Sequence, residues 1–254
     1  MLDSQADKQR RGRVQSIEVG GLLLEQLIEL GGPTSLTELA HKCDMQPAKA
    51  HRYLASLNEI GLVRQDQVSG KYGLGSLALR MGLAAMSQND IVDRAAELMS
   101  DMCYKFEISA HQAIWSERGP VVIHRANGAP PIISPLGIGA MMPLLRSATG
   151  FIFYVYMPKA ATKDVFVEQI VQQQTNAEDI DSLASETRSN GYCVIAGGYV
   201  PGLNAIAYPI FAQDGSLACS LTFISSNMEL FDPDKKMTNQ LGMEIQKFHT
   251  QWNL

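Results

Sequence analysis

From Val14 to Leu30 the apolar positions repeat with helical spacing: Ile17, Leu24, Leu27 and Ile28 fall on one face, broadened by Leu22, Leu23 and Leu30. The pattern predicts a deeply packed helix, closed by Gly31-Gly32-Pro33. A shorter helix follows over Leu36–Cys43, with Ser35 as its cap and Glu38 completing a capping box. The turn Asp44-Met45-Gln46 leads to Pro47, a favoured first residue for a third helix, which runs to about Ile60 and stops at Gly61. On that helix Ala50, Leu54 and Leu57 point one way. Ala48 and Arg52 point the other, with Lys49 and His51 on the flanks. Leu62–Arg64 and Lys71–Leu74 read as two short strands joined by a turn over Asp66–Gly70. Leu77–Met86 is then a charge-poor helix suited to a linker or a dimer contact.

The pattern changes beyond Asn89. A helix opens at Asn89-Asp90 and runs to Phe106. Strands alternate at Ala110–Ser116 and Val121–Ala126 around the turn Glu117–Pro120, and Pro130-Pro131 starts another extended stretch. Helices are predicted over Ser147–Tyr156, Lys159–Gln174 and Ile180–Asn190. Strands follow at Tyr192–Ala196, Asn204–Phe211 and Leu217–Ile224, the last two joined through Asp214-Gly215, and a final helix spans Pro233–Trp252. The fold class is α+β in two parts. Residues 1–13 form a flexible basic arm, 14–75 a winged helix-turn-helix, 76–88 a linker helix and 89–254 a second α/β domain.

Charge sharpens this division. The whole chain carries −5, which by itself argues against a polyanionic partner. Residues 1–80, however, hold 10 Lys/Arg against 9 Asp/Glu, and residues 81–254 hold 11 against 17. The acidity belongs to the second domain. A helix that enters the major groove needs small residues mixed with long donors on its outer face. Gln46, Ala48, Lys49, His51 and Arg52 supply them, with Arg64 and Lys71 on the wing and Arg10, Arg11 and Arg13 in the arm. Double-stranded DNA is the partner this arrangement predicts.

Other chemistry is poorly supported. The five histidines show no metal-ligand spacing, and the four cysteines are too far apart in sequence for a CxxC site. There is no GxSxG elbow, and Gly73-x-Gly75 and Gly137-x-Gly139 read as turns rather than as a dinucleotide loop. No cofactor, metal or catalytic residue is expected, and the chain reads as a regulator rather than an enzyme. The polar N-terminus and the short apolar run at Gly20–Leu24 predict a cytoplasmic protein with reduced thiols and no membrane span.

These residues also carry a resemblance. Val14-Gln15-Ser16-Ile17-Glu18, Ser35–Ala40, His51–Leu57, Gly61–Arg64 and Tyr72–Gly75 resemble the DNA-binding half of the IclR family of bacterial regulators. Pro143–Gly150 resembles that family's pocket-loop segment, and Gly191–Val194, Pro201-Gly202, Ile206–Phe211 and Gly215 resemble its C-terminal signature. The resemblance covers almost the whole chain in order. It implies a GAF-like effector-binding domain, a small-molecule ligand, homodimers or homotetramers assembled through the DNA-binding domain and linker helix, and control of catabolic operons as repressor or activator.

It also places a pocket. The family's polar pocket positions fall at Ile195, Ala205, Thr222 and Ile224, and the usual histidine of the pocket loop is Leu145. Four of these five are apolar, so a small hydrated acid would lose the hydrogen bonds that offset its desolvation. The expected effector is larger and more apolar, such as an aromatic catabolic intermediate. Trp115, Met141, Met142, Leu145, Ser147 and Ala148 line or flank it, with Phe151 nearby. Arg125 and Arg146 read as surface arginines, with carboxylate anchoring as the alternative. His111 reads as a structural histidine sharing a strand face with Trp115. Two other functions stay open on the residues alone: a DNA-binding protein whose C-terminal domain serves only assembly, and an enzyme on a GAF-like scaffold.

Overall fold

The computed structural model describes residues 14–86, 90–129, 131–132, 136–173, 177–231 and 236–252. The basic arm with Arg10, Arg11 and Arg13, together with Asn89, Pro130 and Pro233, lies outside the described residues. The chain divides into two units, Met1–Gln88 and Asn89–Leu254.

The first unit begins with α1 (Gln15–Glu29), α2 (Leu36–Lys42) and α3 (Pro47–Glu59). Ser35 caps α2: its hydroxyl accepts from the Glu38 N–H at 3.2 Å. The Glu38 carboxylate in turn accepts from the Thr34 hydroxyl at 2.8 Å, so the side chain is held against the residue before the cap. The turn into α3 needs one left-handed residue, and Asp44 takes that role at φ 47°. Strands β1 (Val63–Gln65) and β2 (Tyr72–Leu74) pair antiparallel, Arg64 opposite Gly73, and Thr34 adds an isolated bridge to Tyr72. α4 (Ser76–Met86) follows within the same unit. Leu23, Leu27, Leu39, Ala50, Leu54, Val63 and Tyr72 form the buried core.

The buried stripe of α1 differs from the face its sequence suggested. Gly20, Leu23 and Leu27 are buried, whereas Ile17 is 72% and Ile28 45% exposed. The helix is apolar over more than half its circumference, so two candidate faces exist. The small residue Gly20 lets α3 approach on one of them, with Leu57 in van der Waals reach. Ile17 and Ile28 lie about a quarter turn away and stay outside this core.

The second unit is a five-stranded antiparallel sheet in the order β4-β3-β7-β6-β5, built from β3 (Ser109–Ser116), β4 (Gly119–Ala126), β5 (Cys193–Ala196), β6 (Asn204–Phe211) and β7 (Leu217–Ser225). Helices α5 (Asp90–Phe106) and α9 (Lys236–Trp252) cover one face through Met99, Met102, Leu241 and Ile245 against Tyr208, Leu221 and Phe223. The other face carries α6 (Ala148–Tyr156), α7 (Lys159–Gln173) and α8 (Ala177–Asn190). The nine-residue α6 is apolar on nearly every side, and all but its last residue are buried. No strand forms at Pro131-Ile132, and a 3-10 turn at Met228–Phe231, absent from the sequence expectation, precedes α9. The four cysteines are free and buried. Burial pushes the thiols of Cys103, Cys193 and Cys219 up to about 12, which removes their nucleophilic form at neutral pH.

Candidate DNA interface and effector pocket

The outer face of α3 is polar and open. Gln46, Ala48, Lys49, His51 and Arg52 are all exposed, while Ala50 and Leu54 on the opposite side are buried. Gln46 precedes the helix with no side-chain cap, and its carbonyl accepts the N–H groups of Lys49 and Ala50. A proline-started helix without a capping side chain keeps its positive end accessible to an anion.

The wing is a tightly made turn. The Asp66 carboxylate accepts from the Ser69 N–H (2.7 Å), the Ser69 hydroxyl (2.7 Å) and the Val68 N–H (3.2 Å). These bonds hold its carboxyl below the usual carboxylate range, with Arg64 adding a smaller electrostatic pull. The Gln65 amide closes on the Gly70 carbonyl at 3.0 Å. Arg64 and Lys71 both stand exposed on this frame.

The second unit holds a cavity of about 40 Å³ where α6 begins over the sheet. Strand register explains its floor. Ile195, Ala205 and Ile224 lie side by side across β5, β6 and β7, and in the next row Cys193, Ala207, Thr222, His111 and Arg125 run across all five strands. Of the residues named from sequence, Met142, Ser147, Ala148, Ile195, Ala205, Thr222 and Ile224 line the cavity. Trp115, Met141 and Leu145 do not. Trp115 packs on Phe153, ring centroids 5.8 Å apart, and Leu145 is buried beneath α6 with its N–H on the Gln169 side chain. Met141 bridges Val121 in the strand edge. Apolar side chains next to a pocket gain more from the surrounding core than from a small opening.

Several lining residues were not assigned from sequence: His111, Leu136, Arg146, Thr149, Gly198, Tyr199, Val200 and Leu203. They come from separate elements, and only the pairing of β3 with β7 brings His111 opposite Thr222. The His111 Nε2 lies 2.8 Å from the Thr149 hydroxyl, which lies 2.8 Å from that of Thr222. All three are buried. Burial, helped by the nearby Arg125 charge, lowers the His111 imidazole to about 4, so it is neutral at physiological pH. Ser147 caps α6, accepting from the Gly150 N–H at 2.9 Å and donating to the Pro143 carbonyl at 2.6 Å. Arg146 donates to the Gly198 carbonyl at 3.0 Å, tying the pocket loop to the β5–β6 connection.

Among the described residues no three His, Cys, Asp or Glu side chains stand together as metal ligands, and no helix is long and apolar enough to cross a membrane.

A winged helix-turn-helix followed by an α/β domain with a small, partly open cavity is the build of a one-component transcriptional regulator. The profile of the IclR helix-turn-helix domain matches residues 16–67, and that of the bacterial transcriptional regulator IclR C-terminal domain matches residues 83–246. The chain belongs to the IclR family and is a DNA-binding transcriptional regulator, with DNA bound through its helix-turn-helix domain. It is 27% identical over 203 residues to the glycerol operon regulatory protein of Streptomyces coelicolor, covering 78% of this chain and 79% of that protein. The crystal structure of Pseudomonas aeruginosa HmgR superposes with a TM-score of 0.72 at 29% identity, over 95% of this chain and 100% of the other. An IclR homologue from Microbacterium hydrocarbonoxydans, crystallised with 4-hydroxybenzoate, shares the fold at a TM-score of 0.66 and 14% identity, over 91% and 99% of the two chains.

Proposed function

We propose that the protein is an effector-responsive regulator of a catabolic operon, and that its effector is a small molecule with an apolar body bound in the cavity under α6. The observation that carries this reading is the composition of the cavity wall. Leu136, Met142, Ile195, Val200, Leu203, Ala205 and Ile224 make it largely apolar, with a few polar side chains, His111, Thr149 and Thr222 among them. Relatives that regulate a glycerol operon, or that hold 4-hydroxybenzoate, support the catabolic assignment. The cavity has room for about three waters, while an aromatic ring needs on the order of 150 Å³. An aromatic effector therefore selects a more open state of the domain than this one. Effector binding then shifts the population between conformations that present α3 differently to successive major grooves.

On the DNA side, Ala48 and Arg52 face base edges, Lys49 and His51 flank them, and Arg64 and Lys71 contact phosphates. The protein acts as a homodimer or a pair of dimers. Exposed apolar side chains on α1 and α4 of the DNA-binding unit, Ile17, Leu79, Met81 and Leu83 among them, support self-association there.

The narrowness of the cavity favours one competing reading, in which the C-terminal domain serves assembly alone. Thermal melting of the purified protein against a panel of aromatic and aliphatic metabolites separates the two. A ligand that raises the melting temperature and changes the DNase footprint upstream of the gene is expected. A panel that leaves both unchanged establishes the assembly reading.

A further inference from the structure

The tip of the wing is built unlike a phosphate contact. Val68 is 97% exposed, the most exposed large apolar side chain among the described residues. It stands in a turn whose backbone donors are used internally. The N–H groups of Val68 and Ser69 go to the Asp66 carboxylate, that of Gly70 to the Asp66 carbonyl at 2.8 Å, and that of Lys71 to the Ser69 hydroxyl at 3.4 Å. The Ser69 hydroxyl itself turns inward and donates to the same carboxylate. From Gln67 to Gly70 the sequence holds no cation. The tip therefore offers a phosphate neither a charge nor any of these four amides. The cations lie lower, where Arg64 and Lys71 line a cleft beside the wing with Pro33, Asp66, Ser69 and Gly73. Outward, the tip presents the isopropyl group of Val68 and the amide of Gln67.

These dimensions suit the minor groove. Two strand steps separate Arg64 from Asp66, a rise of about 7 Å, and the minor groove is about 7.5 Å deep. Cations at the level of the phosphates thus leave the tip near the groove floor. The groove is only about 6 Å wide, so a paired ribbon with strands about 4.8 Å apart does not enter with its side chains. A single branched side chain at the tip does. On that floor an A·T pair shows acceptors alone, whereas a G·C pair adds the guanine amino group. An isopropyl group cannot accept from this donor. Pressed against it, Val68 would strip the amino group of water and leave it without a partner.

We infer that Val68 is a sequence-specificity residue: it packs into the minor groove beside the α3 site and excludes guanine from the base pair beneath it, through the exocyclic amino group. The inference rests on placing α3 in the major groove and Arg64 and Lys71 on phosphates. It gives the wing a share in sequence readout that those two cations do not supply. The operator then requires A·T or T·A at a flanking pair that α3 does not reach. The hydrogen bonds on Asp66 matter for this discrimination, because a braced turn cannot swing its tip away from an unfavourable pair.

The test uses the duplex that the full-length protein selects from a random-sequence library, with affinity read by fluorescence anisotropy at fixed salt. Each adenine outside the major-groove half-sites is replaced in turn by 2,6-diaminopurine. This base adds an amino group to the minor groove and leaves the major-groove edge as it was. At one pair flanking each half-site the replacement should weaken binding by about fivefold or more. G·C at that pair should weaken it as much, and inosine·C, which lacks the amino group, should not. Val68→Ser, whose hydroxyl can accept from the amino group, should flatten these differences. Val68→Ile and Gln67→Ala should keep them. Val68 supports no core, so its substitution leaves the domain folded. If diaminopurine is tolerated at every flanking pair, if the discrimination survives Val68→Ser, or if Gln67→Ala removes it, the role of Val68 is overturned and α3 remains the reading element. If the protein selects no sequence from the library, the placement of α3 falls with it.

Discussion

Thr149, in the first turn of α6, and Thr222, on β7, hold their hydroxyl oxygens 2.8 Å apart, and His111 closes the chain from β3. The helix that caps the cavity is thus fastened to the sheet by a buried hydrogen-bonded chain that a bound ligand would touch. The same chain sets a pH dependence. His111 titrates at about 4 in the folded protein, against an ordinary value of 6.5. Between these values the unfolded chain takes up a proton that the folded chain refuses, so stability rises with pH across that window. The contribution is complete above pH 6.5 and is lost progressively as pH falls towards 4, amounting to about 3 kcal/mol at full extent. Urea unfolding of the wild type and His111→Gln between pH 7.5 and 4.5 checks this. The wild type should lose more stability on acidification, and parallel pH profiles would show that the imidazole is not buried neutral.

Gly150 lies where α6 starts against the preceding segment. A Cβ there would run into the carbonyl oxygen of Pro143 and the backbone of Leu144, neither of which can rotate aside. Gly75 has the same constraint against the carbonyl oxygens of Gly61 and Val63 at the base of the wing. Gly150→Ala and Gly75→Ala should each destabilise by about 1–3 kcal/mol or more, as overpacking against fixed atoms does. The first should act on the effector unit and the second on the DNA-binding unit. Limited proteolysis with mapping of the cut sites distinguishes them: Gly150→Ala should open sites after residue 89 and Gly75→Ala before it. Wild-type melting and wild-type cleavage in either variant would contradict the backbone contact.

Much of this architecture is readable from the pattern of residues, and the reasons it stops being readable are physical. Ser35, Glu38, Pro47 and Gly61 are local signals, each acting within four residues of the element it starts or ends, and they place α2 and α3 to within a residue or two. The cavity row Ile195, Ala205, Ile224 follows from the family resemblance, and in the structure the three are register partners across β5, β6 and β7. His111 is different. It lines the cavity because β3 pairs with β7, a contact across more than 100 residues, and no local pattern carries that register. Arg146 carried a weak signal in standing directly before the capping Ser147, yet only the β5–β6 connection folding back to its guanidinium makes it a rim residue. Trp115 and Leu145, expected to line or flank the pocket, stand beside it rather than in its wall. Spacing along the chain does not tell a large apolar side chain in a pocket wall from one in the core next to it, and here the core takes both.

The wing offers a test of preorganisation. Three hydrogen bonds converge on the Asp66 carboxylate, and the turn they hold carries Arg64 and Lys71 on either side. Asp66→Ala should leave the three helices folded and loosen the turn, weakening DNA binding by several-fold through the entropy of reordering it. Asp66→Asn, which keeps an acceptor oxygen, should lose less. Fluorescence anisotropy with an operator duplex measures both. Unchanged affinity in Asp66→Ala would show that the wing makes no contact with DNA.

On α3, Arg52 and Lys49 are expected to differ in kind. Arg52 lies at the centre of the outer face, so Arg52→Ala should cost about 1–3 kcal/mol on the cognate operator and little on unrelated DNA. Lys49 on the flank should act as a phosphate contact. Its substitution by Ala should weaken binding to all sequences alike and reduce the slope of log affinity against log salt by about one. Salt titrations on cognate and scrambled duplexes separate the two behaviours, and identical losses on both duplexes for Arg52→Ala would remove it from base readout.

The exposed apolar residues of the DNA-binding unit give the last prediction. Leu79 and Leu83 are 65% and 57% exposed and stand one turn apart on α4, a helix with no buried side chain among its described residues. Ile17 on α1 is apolar and exposed as well. Water contact with this many large aliphatic groups is unfavourable at roughly 25 cal/mol per Å², and a second copy of the same surface, related by a two-fold axis, removes it for both chains at once. On the self-association proposed above, Leu79→Asp with Leu83→Asp should therefore shift the protein from dimer to monomer in sedimentation velocity while leaving its far-ultraviolet circular dichroism unchanged. Affinity for a palindromic operator should fall far more than affinity for a single half-site, because the second half-site is no longer delivered on the same particle. A variant that sediments as the wild type does would place the oligomer contact elsewhere in the chain.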